Sequence, residues 1–168
     1  MIKIIDNFFS KNDIKLVQDF TLNKAHYTPR FLDDKEKTKE NFFGNRCSFE
    51  NNIDILNLFK KQTELKFNLK ILKLHHDSGI DQRNLDQFKP HTDDEVAKIN
   101  ILIMIYGPTA VTNGTVFYTD GELDLHVGFR ENRAVMFPSN KFHSSHASNI
   151  PNLKRYSASL FIQDYVIE

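Results

Sequence analysis

Hydrophobic positions follow a helical period near the start of the chain and a period of two, or an unbroken apolar run, further on. Ile2 to Phe8 alternates enough to predict a strand. Ser10 then stands as N-cap of a helix over about residues 11–23, with Asp13 placed for a capping-box-like contact and Ile14, Val17 and Phe20 forming the buried stripe. A second helix over about residues 53–62 puts Ile55, Leu56 and Phe59 on one face, suited to backing a sheet. Phe67, Leu69 and Ile71 open a β-rich region in which strands and turns recur about every ten residues, as a jelly-roll core requires. Ile99-Asn100-Ile101-Leu102-Ile103-Met104-Ile105-Tyr106 is a strand apolar on both faces, and Ala134-Val135-Met136-Phe137 a buried strand ended by Pro138-Ser139-Asn140. From Arg155 to Ile162 the faces separate: Tyr156, Ala158, Leu160 and Ile162 on one, Arg155, Ser157 and Ser159 on the other. Residues 27–49, most solvated at Asp33-Asp34-Lys35-Glu36-Lys37, and residues 77–87 are expected to be irregular. The expected class is mainly β with flanking helices.

Composition narrows the picture a little. The 168 residues suit one domain and can bury a real core, which with 15 phenylalanines and no tryptophan must lean on Phe, Ile and Leu. One cysteine, Cys47, excludes an internal disulfide framework and fits a reducing compartment. The first residues show no secretory-leader pattern and no apolar run approaches ~20 residues, so a soluble, cytoplasmic protein is expected. Lys+Arg and Asp+Glu both total 22, which gives no general attraction to nucleic acid or membrane. No repeat, linker or low-complexity segment marks a boundary.

The chemistry is concentrated in a few polar residues. In an extended segment His91 and Asp93, at i and i+2, point the same way and can grip one ion. His75-His76-Asp77 offers the same spacing. His91-Thr92-Asp93 is preferred because it leads into the apolar strand at Ile99; Asp94 replaces Asp93 only if the backbone leaves extended geometry. A third ligand must come from another strand, and Phe142-His143-Ser144-Ser145-His146 supplies two candidates, His143 and His146. Two histidines and one carboxylate on one face of a metal suit a non-haem Fe(II) that keeps open positions, and the same types also ligate zinc. Arg155 offers a planar fork to a carboxylate, and Ser157 faces the same way. Tyr106 either lines a pocket or is a core tyrosine, and His26 and His126 carry no motif.

Phe88-Lys89-Pro90-His91-Thr92-Asp93, Asn113-Gly114-Thr115-Val116-Phe117, Asn132 to Ser139 leading up to His143, and Arg155-x-Ser157 together resemble the 2-oxoglutarate/Fe(II)-dependent dioxygenases, in their prolyl-4-hydroxylase-like branch. The resemblance covers about residues 66–163. The opening Ile2 to Ser10 resembles the strand and helix cap that begin this branch. It implies a double-stranded β-helix (jelly-roll, cupin-like) core, with the N-terminal strand and helices in residues 1–65, all in a single dioxygenase domain. Fe(II) would be held by His91, Asp93 and His143, with His146 as the alternative distal ligand. The Phe88 and Pro90 before His91, and Phe137-Pro138-Ser139 before His143, favour those two histidines. 2-Oxoglutarate would chelate the metal, with Arg155 and Ser157 on its far carboxylate, O₂ in the remaining position and ascorbate as a supporting reductant. The implied reaction hydroxylates an unactivated C–H bond of a peptidyl residue or small amino-acid-like substrate, releasing succinate and CO₂. In this branch a segment such as residues 27–49 often lies near the mouth of the site, where it is either a substrate reader or a mobile loop. Two other readings stand beside this one: a non-catalytic cupin-like module, and a hydrolytic zinc site on the same triad, against which Arg155-x-Ser157 argues.

Overall fold

A computed structural model describes residues 1–31, 35, 37–38, 42–84, 90–110, 112–146 and 154–168. In chain order these form β1 (Lys3–Ile5), α1 (Lys11–Asp19), β2 (Thr28–Phe31), β3 (Phe42–Ser48), α2 (Ile53–Phe67), β4 (Leu69–Leu74), β5 (Gly79–Asn84), β6 (Ile99–Tyr106), β7 (Gly114–Thr119), β8 (Glu122–Gly128), β9 (Arg133–Pro138), β10 (His143–His146) and β11 (Lys154–Ile167).

The strands make two antiparallel sheets. The larger runs β1-β9-β6-β11-β5-β3-β2, with β4 added to the far half of β11, and the smaller runs β10-β7-β8. His91 joins β10 through an isolated bridge to His143. This is a double-stranded β-helix. β6 is apolar on both faces because both are covered. Ile101, Ile103 and Ile105 pack with Val17 of α1 and Phe59 of α2, whereas Met104 packs with Phe117, Val127, Val135 and Phe137 between the sheets. Each such side chain taken fully out of water contributes roughly 1.5–3 kcal/mol.

The helices follow their caps and stripes. The Ser10 hydroxyl oxygen accepts from Asp13 N–H at 3.1 Å, and α1 buries Val17. The α-helix stops at Asp19, earlier than the predicted residue 23, and Phe20–Lys24 continue as a π-helical turn closed by Ala25 N–H on Phe20 O. α2 runs on past the predicted residue 62, because Thr63 and Phe67 continue the buried line of Ile55 and Phe59 at four-residue spacing; it ends where Asn68 turns left-handed. The β7–β8 hairpin turns on Asp120-Gly121, both at positive φ as a type I′ turn needs.

Two segments expected to be irregular are strands. Residues 28–31 and 42–48 form β2 and β3, and residues 79–84 form β5, which pairs with both β3 and β11. Their alternation is masked by charge. Cys47 and Ile80 face the apolar core, while the inward residues between them are Arg46, Asp81 and Arg83. Asp33, Asp34 and Glu36, and the Phe88 of the motif, lie outside the described residues. No helix among the described residues is long and apolar enough to cross a membrane.

Candidate metal centre and its cavity

The segment carrying His91 is pinned to β10 by reciprocal backbone hydrogen bonds, His91 N–H to His143 O and His143 N–H to His91 O, both 2.9 Å, and Asp93 N–H donates to Ser139 O at 2.8 Å. The chain is therefore extended at His91, a turn begins at Asp93 with Val96 and Ala97 N–H on its carbonyl, and the two side chains meet that of His143. Asp93 turns one oxygen to each imidazole, Oδ1 lying 3.6 Å from His91 Nε2 and Oδ2 3.4 Å from His143 Nε2. The three ligand-type atoms lie within 4.8 Å of one another. Two imidazoles and one carboxylate gathered in this way are a chemically apt donor set for one divalent ion once they close in on it.

Neighbouring groups orient the candidate ligands. His143 is buried with Nδ1 3.0 Å from Lys141 O, so that nitrogen carries the proton and Nε2 turns its lone pair to Asp93. Burial first, then the neighbouring His91, push its pKa below the usual histidine value, which keeps the imidazole in its ligating neutral form. Asn100 of β6 donates from Nδ2 to Asp93 Oδ2 at 2.5 Å.

These groups open on a cavity of about 230 Å³. Away from the triad its lining includes Arg155, Ser157 and Ser159, the polar face of β11 predicted from sequence. Arg155 is 7% exposed. Among the described residues its hydrogen bonds all leave from Nη1 and reach neutral acceptors: Asn113 Oδ1 at 3.0 Å, Gly114 O at 2.9 Å and His146 O at 3.4 Å. Asn113 is held for this by its own Nδ2 on Pro108 O at 2.6 Å. Gly114 must be glycine, because a Cβ there would run into Val127 O and His126. Burial, with Arg83 directly across from Arg155 in the β11–β5 register, pushes the Arg155 pKa down to about 10.

A second charged group lines the β3–β5 side. Arg46 grips Asp81 with Nε on Oδ1 at 2.7 Å and Nη2 on Oδ2 at 2.8 Å, and Arg83 Nη2 lies 3.6 Å from Asp81 Oδ2. Although buried, Asp81 is held below the usual carboxylate range by these guanidiniums.

The remaining candidates fall elsewhere. His146, three residues beyond His143, faces away from the triad and packs edge-on against His126 at 5.1 Å. His75, His76 and Asp77 also cluster within 4.8 Å, but one Asp77 oxygen is taken by Arg30 at 3.0 Å. Tyr106 is 44% exposed beside Tyr156 and is neither a cavity wall nor a core residue. Asn100 escaped attention in the sequence. The available signal was an amide in an otherwise apolar strand buried on both sides. Arg46, Asp81 and Arg83 gave no signal, because their segments lacked visible alternation.

No protein-family model matches the sequence, and no curated protein matches it. Solved structures do. The non-heme alpha ketoglutarate dependent epimerase SnoN from nogalamycin biosynthesis superposes with a TM-score of 0.66 at 10% identity, over 99% of this chain and 77% of its own. A Pseudomonas putida prolyl-4-hydroxylase gives 0.57 at 8%, over 97% and 92%. EctD from S. alaskensis, solved with 2-oxoglutarate and 5-hydroxyectoine, gives 0.62 at 14%, over 99% and 72%. The chain has the fold of the 2-oxoglutarate/Fe(II) oxygenase superfamily.

Proposed function

We propose that the protein is a cytoplasmic Fe(II)- and 2-oxoglutarate-dependent dioxygenase that hydroxylates an unactivated C–H bond of a peptidyl residue or small amino-acid-like substrate, releasing succinate and CO₂. The observation that carries this is the pairing, in one cavity, of a two-histidine, one-carboxylate set with a buried arginine whose hydrogen-bond partners among the described residues are all neutral. A buried guanidinium without a carboxylate is costly unless a ligand supplies one. A dicarboxylate with a chelating end fits both ends of the cavity, whereas a hydrolytic zinc site on the same residues leaves Arg155 without a task.

His91, Asp93 and His143 would hold the metal, which supplies the oxidative chemistry once 2-oxoglutarate and O₂ are bound. Lys141 O fixes the tautomer of His143, and Asn100 fixes the rotation of Asp93. Arg155 and Ser157 would receive the far carboxylate, the guanidinium through its fork and the serine through its hydroxyl. Asn113 and Gly114 orient that guanidinium by holding Nη1.

The test is an anaerobic visible titration of the Fe(II)-loaded protein with 2-oxoglutarate. A saturable metal-to-ligand charge-transfer band is expected. It should vanish in Asp93→Ala and His143→Ala and persist in His146→Ala. Bound iron without a band would overturn the oxygenase reading, and a band retained in Asp93→Ala would overturn the ligand set.

A further inference from the structure

Every side chain of β6 from Ile99 to Ile105 is apolar except Asn100, which is 3% exposed. Its cross-strand neighbours are Phe137 of β9 and Phe161 of β11, and all three line the cavity. In so apolar a place each half of the amide needs a partner. Nδ2 has one, Asp93 Oδ2 at 2.5 Å. Oδ1 is buried and accepts no hydrogen bond from the described residues. Rotating the amide by half a turn gives no relief, because it would set Oδ1 against the carboxylate oxygen. The orientation is therefore fixed by Asp93, and Oδ1 is left as a buried acceptor on a side chain that lines the cavity beside the triad. Ser157 and Ser159 stand in the rows beyond it along β11, opposite Met104 and Leu102 rather than Asn100.

On the metal reading above, on which this inference rests, we propose that Asn100 is a positioning residue with two tasks. Its Nδ2 holds Asp93 in the rotation that directs the carboxylate at the ion. Its Oδ1 accepts a hydrogen bond from a water that completes the ion's shell. Water on a divalent ion is a strengthened donor, and a fixed neutral acceptor suits it better than a carboxylate, which would add charge. Asparagine meets both needs with one side chain. Aspartate in its place would lose the donor to Asp93, and leucine of similar volume would lose both halves.

The experiment compares wild type, Asn100→Leu and Asn100→Ser, with Asp93→Ala as control, using Mn²⁺ in place of Fe(II). The readouts are Mn²⁺ affinity, water-proton relaxation per bound Mn²⁺, and melting of the metal-free protein. Both Asn100 variants should bind Mn²⁺ roughly 10–100-fold more weakly, change the relaxation per bound ion, and melt within about 4 °C of wild type without metal. Asn100→Ser opens space rather than filling it, and decides the matter if the leucine variant does not fold. Affinity within twofold of wild type, together with a large loss of metal-free stability, would make Asn100 a structural residue and overturn the proposal. Weaker affinity with unchanged relaxation would overturn the water contact and assign the Oδ1 acceptor to a substrate donor. If wild type itself binds no Mn²⁺, the metal reading fails and takes this proposal with it. Loss in Asp93→Ala alone sinks only the role of Asn100.

Discussion

Replacing Arg155 with glutamine tests the cosubstrate end of the cavity through an energy the fold already holds. An unperturbed arginine titrates well above pH 10, so holding Arg155 at about 10 means that the folded cavity disfavours its charged form by about 3 kcal/mol. The unfolded chain keeps this proton to a higher pH than the folded one. The penalty is therefore fully present below pH 10 and relieved only as pH rises beyond it toward the ordinary arginine range. A carboxylate placed in the guanidinium fork offsets it. In Arg155→Gln the charge is gone and a donor remains for Asn113 Oδ1 or Gly114 O. The expected 2-oxoglutarate affinity is roughly 100-fold lower, the factor that about 3 kcal/mol produces. Metal-free stability should stay within about 2 kcal/mol of wild type, because removal of the burial penalty offsets the lost hydrogen bonds. Affinity comes from the anaerobic charge-transfer titration at pH 7.5, stability from urea unfolding of the metal-free protein. A dissociation constant within about threefold of wild type would refute the carboxylate role. A loss beyond about 4 kcal/mol in the metal-free protein would show that Arg155 chiefly holds the fold.

Other predictions follow from neighbouring geometry. Gly114→Ala forces a Cβ into Val127 O and His126, and should lower both the melting temperature and 2-oxoglutarate affinity, because Gly114 O and Asn113 orient Arg155; unchanged affinity in a protein that still folds would separate the hairpin from the site. Arg46→Ala leaves Asp81 buried without its two-pronged partner, and urea unfolding should show a loss of about 3–5 kcal/mol, whereas a change below ~1 kcal/mol would deny the pair its structural role. His126 has a buried Nε2 with no hydrogen-bond partner among the described residues, and burial, followed by the proximity of His146, lowers its pKa. The unfolded chain takes up this proton at a higher pH than the folded protein does. Stability should therefore fall as pH drops through ~6.5, and His126→Leu should flatten that slope between pH 7 and 5; an unchanged slope would place its origin elsewhere.

The sequence by itself determined what local spacing can express. Two-residue alternation along β11 separated Tyr156, Ala158, Leu160 and Ile162 from Arg155, Ser157 and Ser159, and the folded chain keeps that separation. His91 and Asp93 could be paired from sequence because an extended backbone sets i and i+2 on one side. Sequence alone left the distal histidine open, since His143 and His146 are both close to Phe142 and either could reach a metal. Only the pairing of β10 with β7 and with His91 put His143 on the inner face and His146 on the outer. The polar wall of Arg46, Asp81 and Arg83 was likewise decided by tertiary structure. Its strands look irregular in sequence because the inward residues are charged, and those charges are tolerable only because sheet formation sets Arg46 against Asp81. The second partner that Asn100 lacks among the described residues belongs to the same level, since an unmet acceptor appears only once folding has removed the water that would have met it.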